Sequence, residues 1–158
     1  MKLLKKILFV LLAIFIVAQF FRPEKNEGDL TSINAFLEET NPPEDVKVIL
    51  EESCFDCHSD VTRYPWYNNI TPVNYWLAEH IEHGSKHFNV SKWSGNSIKR
   101  KDHKFEELIE MVEKKEMPLP SYTWTHAEAN LRDEQIAAVI KWAKEVRLKY
   151  QIEMPRPQ

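Results

Sequence analysis

The sequence predicts an all-α domain made of short helices, and three observations carry that prediction. Apolar residues recur at intervals of three and four along most of the chain, the spacing of helices with one buried face. Proline is frequent, with nine residues, and glycine scarce, with three, a balance that suits helices separated by stiff turns. No stretch alternates apolar and polar residues over the length of a strand. At 158 residues the chain fits one domain with a modest core.

The first element is an apolar segment. Lys2, Lys5 and Lys6 precede an uninterrupted apolar run from Ile7 to Ala18, and Gln19 separates it from Phe20 and Phe21. A positive start before such a run keeps its own end in the cytoplasm and sends the remainder across. Ile16 is too bulky for a good cleavage site with Val17 and Ala18. The expectation is therefore an uncleaved signal-anchor over residues 1–22, a single transmembrane span of a bacterial inner membrane with the rest facing the periplasm. Secretion to the periplasm after cleavage is the alternative. Beyond residue 25 acidic residues outnumber basic ones, which leaves no footprint for nucleic acid.

Residues 23–42 read as a polar tether and a short helix bearing Ile33, Phe36 and Leu37, stopped by Asn41-Pro42-Pro43. The folded domain is expected over 43–150. A helix from about Pro43 to Ser53 presents Val46, Ile49 and Leu50 on one face. Thr71-Pro72 opens another, expected to end near His83 with Gly84 as its C-cap. Its stripe is Val73, Trp76, Leu77, His80 and Ile81. Phe88 to Ser97 reads as a loop enclosing Trp93. Phe105, Leu108, Ile109 and Val112 mark a helix whose basic cluster Lys99-Arg100-Lys101 opposes the dipole, so its start is expected near Asp102 and the cluster in solvent. The last helix begins around Leu131–Glu134 and buries Ile136, Val139, Ile140, Ala143 and Val146, with Trp142 at its flank. Residues 151–158 read as a disordered tail.

The chemistry lies in Cys54-Phe55-Asp56-Cys57-His58. This C-x-x-C-H run is the attachment signature of a c-type haem: two thiols add across the vinyl groups, and the adjacent imidazole coordinates the iron. These are the chain's two cysteines. A structural zinc site would want about four ligands, and a thioredoxin-like dithiol a βαβ setting; the sequence supplies neither. Trp66 and Tyr67 are candidates to line the porphyrin edge, with plain packing beneath a loop as the competing role. Met117, in the rigid Met117-Pro118-Leu119-Pro120 stretch, is the candidate sixth ligand, against use as hydrophobic filler. His126 is the leading alternative, ahead of His80 and His103. His80, His83 and His87 suggest a metal site less well than a core-facing His80.

Cys54-x-x-Cys57-His58-Ser59, Pro65-Trp66-Tyr67, Ile70-x-Pro72-Val73, His80, Met117-Pro118, Tyr122, His126, Ala129-x-Leu131 and Trp142 together make the chain resemble a bacterial haem-binding domain family related to class I c-type cytochromes. The likeness covers about Pro43 to Trp142. It implies a small cytochrome c-like helical fold around one covalent haem c, with Cys54 and Cys57 as attachments, His58 proximal and Met117 distal. Leu119, where the family often has a second consecutive proline, and Arg132, where a Ser or Thr would usually cap, depart from the pattern. The function expected is a membrane-anchored one-electron carrier serving redox proteins of the periplasm or inner membrane. The alternatives are a peroxidase-like enzyme or gas/redox sensor with an open or displaceable distal ligand, and a module that needs haem only to fold.

Overall fold

The computed structural model describes residues 2–154. Its α-helices are α1 (Lys2–Ala18), α2 (Asn34–Thr40), α3 (Glu44–Ser53), α4 (Phe55–His58), α5 (Val73–His87), α6 (Ile98–Glu113), α7 (Pro120–Thr123) and α8 (Asp133–Glu153). Short 3-10 turns join them at Leu30–Ile33, Trp66–Asn69, Val90–Gly95 and Ala127–Ala129. Among the described residues there is no strand, only an isolated bridge between Glu27 and Val61. The all-α expectation holds.

The core forms where α6 and α8 lie side by side and α3 packs on α8. Phe36 stands at its centre. Its ring meets Trp93 edge-on at 5.0 Å, Phe88 at 6.0 Å and Trp142 at 6.2 Å, and stacks on Phe105 at 6.3 Å. Edge-to-face pairs of this kind gain beyond their buried area. The helix grouped with the tether thus supplies the central ring of the core. Asn41 ends it in the left-handed region at φ 41°, with its N–H on Leu37 O at 2.9 Å, a conformation asparagine tolerates well. Trp142, expected at a flank, is buried, because its Nε1–H caps α2 by donating to Thr40 O at 3.1 Å.

Three helix boundaries need correction. α5 runs through Gly84 to His87, since Gly84 serves a close helix crossing and not a C-cap. Its buried face is Asn74, Leu77, Ile81 and Gly84, so Trp76 and His80 turn outward, their rings 4.5 Å apart and tilted by 57°. α6 begins at Ile98, where Ser97 Oγ accepts the Arg100 N–H, and the basic cluster does not delay it. Lys101 is buried, not solvated: its Nζ donates to both oxygens of Glu39, at 2.8 and 2.7 Å, and Tyr150 OH donates to the same carboxylate at 2.7 Å. α8 continues to Glu153, held by that Tyr150 bond and by Gln151, so the tail expected from 151 is helical at its start; residues 155–158 lie outside the described residues. Gln135 Oε1 accepts the Arg132 N–H at 3.0 Å and does the capping that Arg132 cannot.

The transmembrane span expected over residues 1–22 is not supported. α1 buries none of its residues, and no helix among the described residues is long and apolar enough to cross a membrane. Seventeen residues rise about 26 Å, against a hydrocarbon core of about 30 Å. The segment after α1 is packed and not a free tether. The Gln19 amide pairs with the Thr71 backbone, Nε2 donating to O at 3.1 Å and Oε1 accepting from N–H at 3.0 Å. Asn26 donates to Tyr64 OH, Ser59 O and Thr62 Oγ1 at 2.6, 2.8 and 3.0 Å. The Gly28 N–H donates to Asp60 O at 2.7 Å, so close that a Cβ at Gly28 would stand 2.6 Å from that oxygen. This strap lies along the loop that leaves α4.

Candidate functional site

α3 ends on Cys54, and α4 is a single turn that carries Phe55 to His58. The His58 N–H donates to Cys54 O at 3.0 Å and the Cys57 N–H to the same carbonyl at 3.2 Å, which closes the turn. Both cysteines are free and half-buried. Burial pushes the Cys54 thiol up to about 12, helped by Cys57 and the Asp56 charge, and the Cys57 thiol up to about 11. Both thiols are therefore neutral near pH 7, and thioethers at these sulfurs would have no proton to lose.

His58 Nδ1 lies 2.9 Å from Phe88 O. A carbonyl only accepts, so Nδ1 carries the proton and Nε2 presents a lone pair. Burial lowers the His58 pKa, and the Phe88 carbonyl offsets this only in part, so the ring is neutral near pH 7. The Phe88 ring adds an edge contact at 5.6 Å. α5 closes on the turn at Gly84, where a Cβ would come within 2.9 Å of Cys57 O. Lys104 Nζ donates to the carbonyl of His87, the last residue of α5. Two free thiols and a neutral imidazole with one nitrogen pinned and the other open make a donor set that fits a haem.

The chain belongs to the haem-binding domain family. The family model, described as a haem-binding domain, matches residues 13–145. No curated protein and no solved structure matches the chain. The match begins inside α1, thirty residues before Pro43, so it takes in the strap that the fold packs against the loop after α4.

Around the Cys54–His58 turn the remaining candidates divide. Asp56 is buried and receives both Arg63 and Tyr122. Tyr122 stacks on His126 at 4.2 Å with an interplanar angle of 12°. His126 has both ring nitrogens engaged, Nε2 with Tyr67 OH at 3.1 Å and Nδ1 with Glu128 Oε1 at 3.2 Å. Tyr67 thus joins this group, while Trp66 packs only its edge on Tyr67 at 5.9 Å and is 76% exposed. Met117 is half-buried in the loop between α6 and α7, its N–H on Met111 O at 3.2 Å. His80 is bonded through Nδ1 to Trp76 O at 2.8 Å, and His103 faces Glu106 and Glu107 on the exposed side of α6. The His83 and His87 rings stand 4.7 Å apart. Among the described residues no group of three or more His, Cys, Asp or Glu converges as a metal site.

The residues that sequence reasoning missed are Asp56, Gly84, Phe88 and the strap. Arg63 keeps one side in solvent and spends the other on Asp56. No local pattern marks an acid between two cysteines as the partner of a tyrosine 66 residues later.

Proposed function

We propose that this haem-binding domain is a monohaem c-type protein, related to class I cytochromes, that carries one electron. The observation that carries this reading is His58, whose Nδ1 is fixed on Phe88 O and whose Nε2 is left for iron, one residue beyond a pair of unpaired thiols. Cys54 and Cys57 would hold the porphyrin by thioethers, His58 would be the proximal ligand and Met117 the distal one. Trp66 and Tyr67 would meet the porphyrin edge. The bound group supplies a one-electron iron couple, and a thioether opposite an imidazole raises its potential. The protein's part is to keep both axial ligands in place and His58 unprotonated.

The proposed location is the outer face of a bacterial inner membrane. α1 exposes apolar side chains along its length, and a surface of that kind marks an interaction with lipid or protein. Its three leading lysines favour export of the rest of the chain. Redox proteins of the periplasm or inner membrane are the proposed partners. The test is the spectrum of the matured protein. A low-spin ferric iron with the weak near-infrared thioether band, lost in Met117→Ala, supports a carrier. A high-spin iron that binds carbon monoxide or peroxide at once would replace it with the enzyme or sensor reading.

A further inference from the structure

Asp56 sits between the two cysteines, where three stretches of chain meet. Its Oδ1 accepts from the Arg63 N–H at 3.0 Å and from Arg63 Nε at 3.1 Å. Its Oδ2 accepts from Arg63 Nη2 at 3.1 Å and from the Tyr122 hydroxyl at 2.7 Å. Tyr122 belongs to α7, which starts at Pro120, directly after the Met117-Pro118-Leu119 loop. The bond from Tyr122 to Asp56 is thus a direct side-chain link between the haem-binding turn and the segment that carries the thioether. The same Tyr122 ring covers one face of His126, whose nitrogens are taken by Tyr67 and Glu128. One constellation therefore ties down the methionine's loop and occupies the competing imidazole.

We infer that Asp56 and Tyr122 are positioning residues that select the sixth ligand: they hold the loop between α6 and α7 so that Met117, and not His126, is presented opposite His58. The inference rests on the proposal that Met117 is the distal ligand. Neither residue touches the iron. A phenol bonded to a carboxylate shifts an open–closed equilibrium by roughly tenfold to a hundredfold. The apparent affinity for an external ligand that needs the open loop scales with the open fraction.

The test compares two tyrosines in the full-length, haem-loaded protein. Tyr122→Phe deletes one hydroxyl and keeps the ring on His126. Tyr150→Phe deletes the equivalent bond to Glu39 in the core. Imidazole binding to the ferric iron is expected to tighten about tenfold to a hundredfold in Tyr122→Phe, and to stay at the wild-type value in Tyr150→Phe. Equal affinity in wild type and Tyr122→Phe, or equal gains in both variants, overturns the inference. If Tyr122→Phe does not load haem, amide hydrogen exchange over residues 117–123 is read in the unloaded full chain. Faster exchange than wild type supports the inference and unchanged exchange overturns it. Met117→Ala separates the two readings: a thioether band that survives it sinks the ligand assignment, whereas a band lost there together with a silent Tyr122→Phe sinks the positioning role alone.

Discussion

Two carboxylates of this molecule are each held by a basic side chain and a tyrosine, and the two groups differ in which member is hidden. At the Cys54–His58 turn Asp56 has 8% of its side chain exposed and Arg63 57%. In the core Lys101 has 11% exposed and Glu39 34%. A buried charge is costly unless partnered, whichever sign it has. In the core the hidden ammonium also lies 5.7 Å from the Trp93 ring, inside the aromatic cluster, so its triad ties α2, α6 and α8 together. At the turn the hidden group is the acid, and its cation reaches in from solvent. That triad joins no two long helices; it joins the turn of Cys54–His58 to the short helix that follows the Met117 loop. Burial pushes both tyrosines well above the usual phenol range, and the carboxylate bonds add to it, so each remains a donor. The same chemistry serves stability in one place and geometry in the other.

The largest expected effect lies on the core side. Phe36→Ala removes the ring on which five other aromatic rings converge and should cost about 3–5 kcal/mol in denaturant unfolding. The iron spectrum of the folded fraction should stay as in the wild type; a changed spectrum would merge the two regions into one. Next comes Gly84→Ala on the site side. Its Cβ would stand 2.9 Å from Cys57 O, and overpacking against backbone costs about 1–3 kcal/mol. Here haem stoichiometry should fall along with stability, and a fully loaded protein of wild-type stability would show that α5 is free to move aside.

The smallest effect is a pH dependence at Glu39. Burial raises its pKa, but the bonds from Lys101 and Tyr150 outweigh that and leave it below the ordinary 4.5. On acidification the unfolded chain takes up this proton first. The contribution of Glu39 is therefore complete above 4.5 and is lost as pH falls through the lower folded value. Unfolding midpoints of wild type and Glu39→Gln should differ at neutral pH and converge in that acid window. A gap that persists there would assign the stabilisation to packing and not to charge.

How much of this was legible in the sequence depends on how local each feature is. Val46, Ile49, Leu50, Phe105 and Val139 are buried as their helical spacing predicts, because burial repeats at the period of the element that carries it. The Cys54-x-x-Cys57-His58 run could be picked out for the same reason, since it lies within five consecutive residues, and the family it pointed to is the one whose model matches residues 13–145. The face of α5 was misread because Trp76 is apolar in type and exposed in place, while Asn74 is polar and buried with its Nδ2–H on Thr71 Oγ1. Trp142 and Lys101 are buried by partners 102 and 62 residues away, and the Tyr122 bond to Asp56 is equally remote. The strap was illegible because Asn26 and Gly28 find their partners at Ser59, Asp60, Thr62 and Tyr64, more than thirty residues along the chain, and no local pattern marks such pairs.

The central claim is that Cys54, Cys57 and His58 hold a haem by two thioethers and one imidazole. It is tested most directly by the intact mass of the denatured full-length protein, matured in cells that carry the machinery for covalent haem attachment. The expected result is the added mass of one haem, retained through denaturation in the wild type and absent from a Cys54→Ala, Cys57→Ala double variant. An unmodified polypeptide mass with two free thiols, recovered from a folded protein in those same cells, would contradict it.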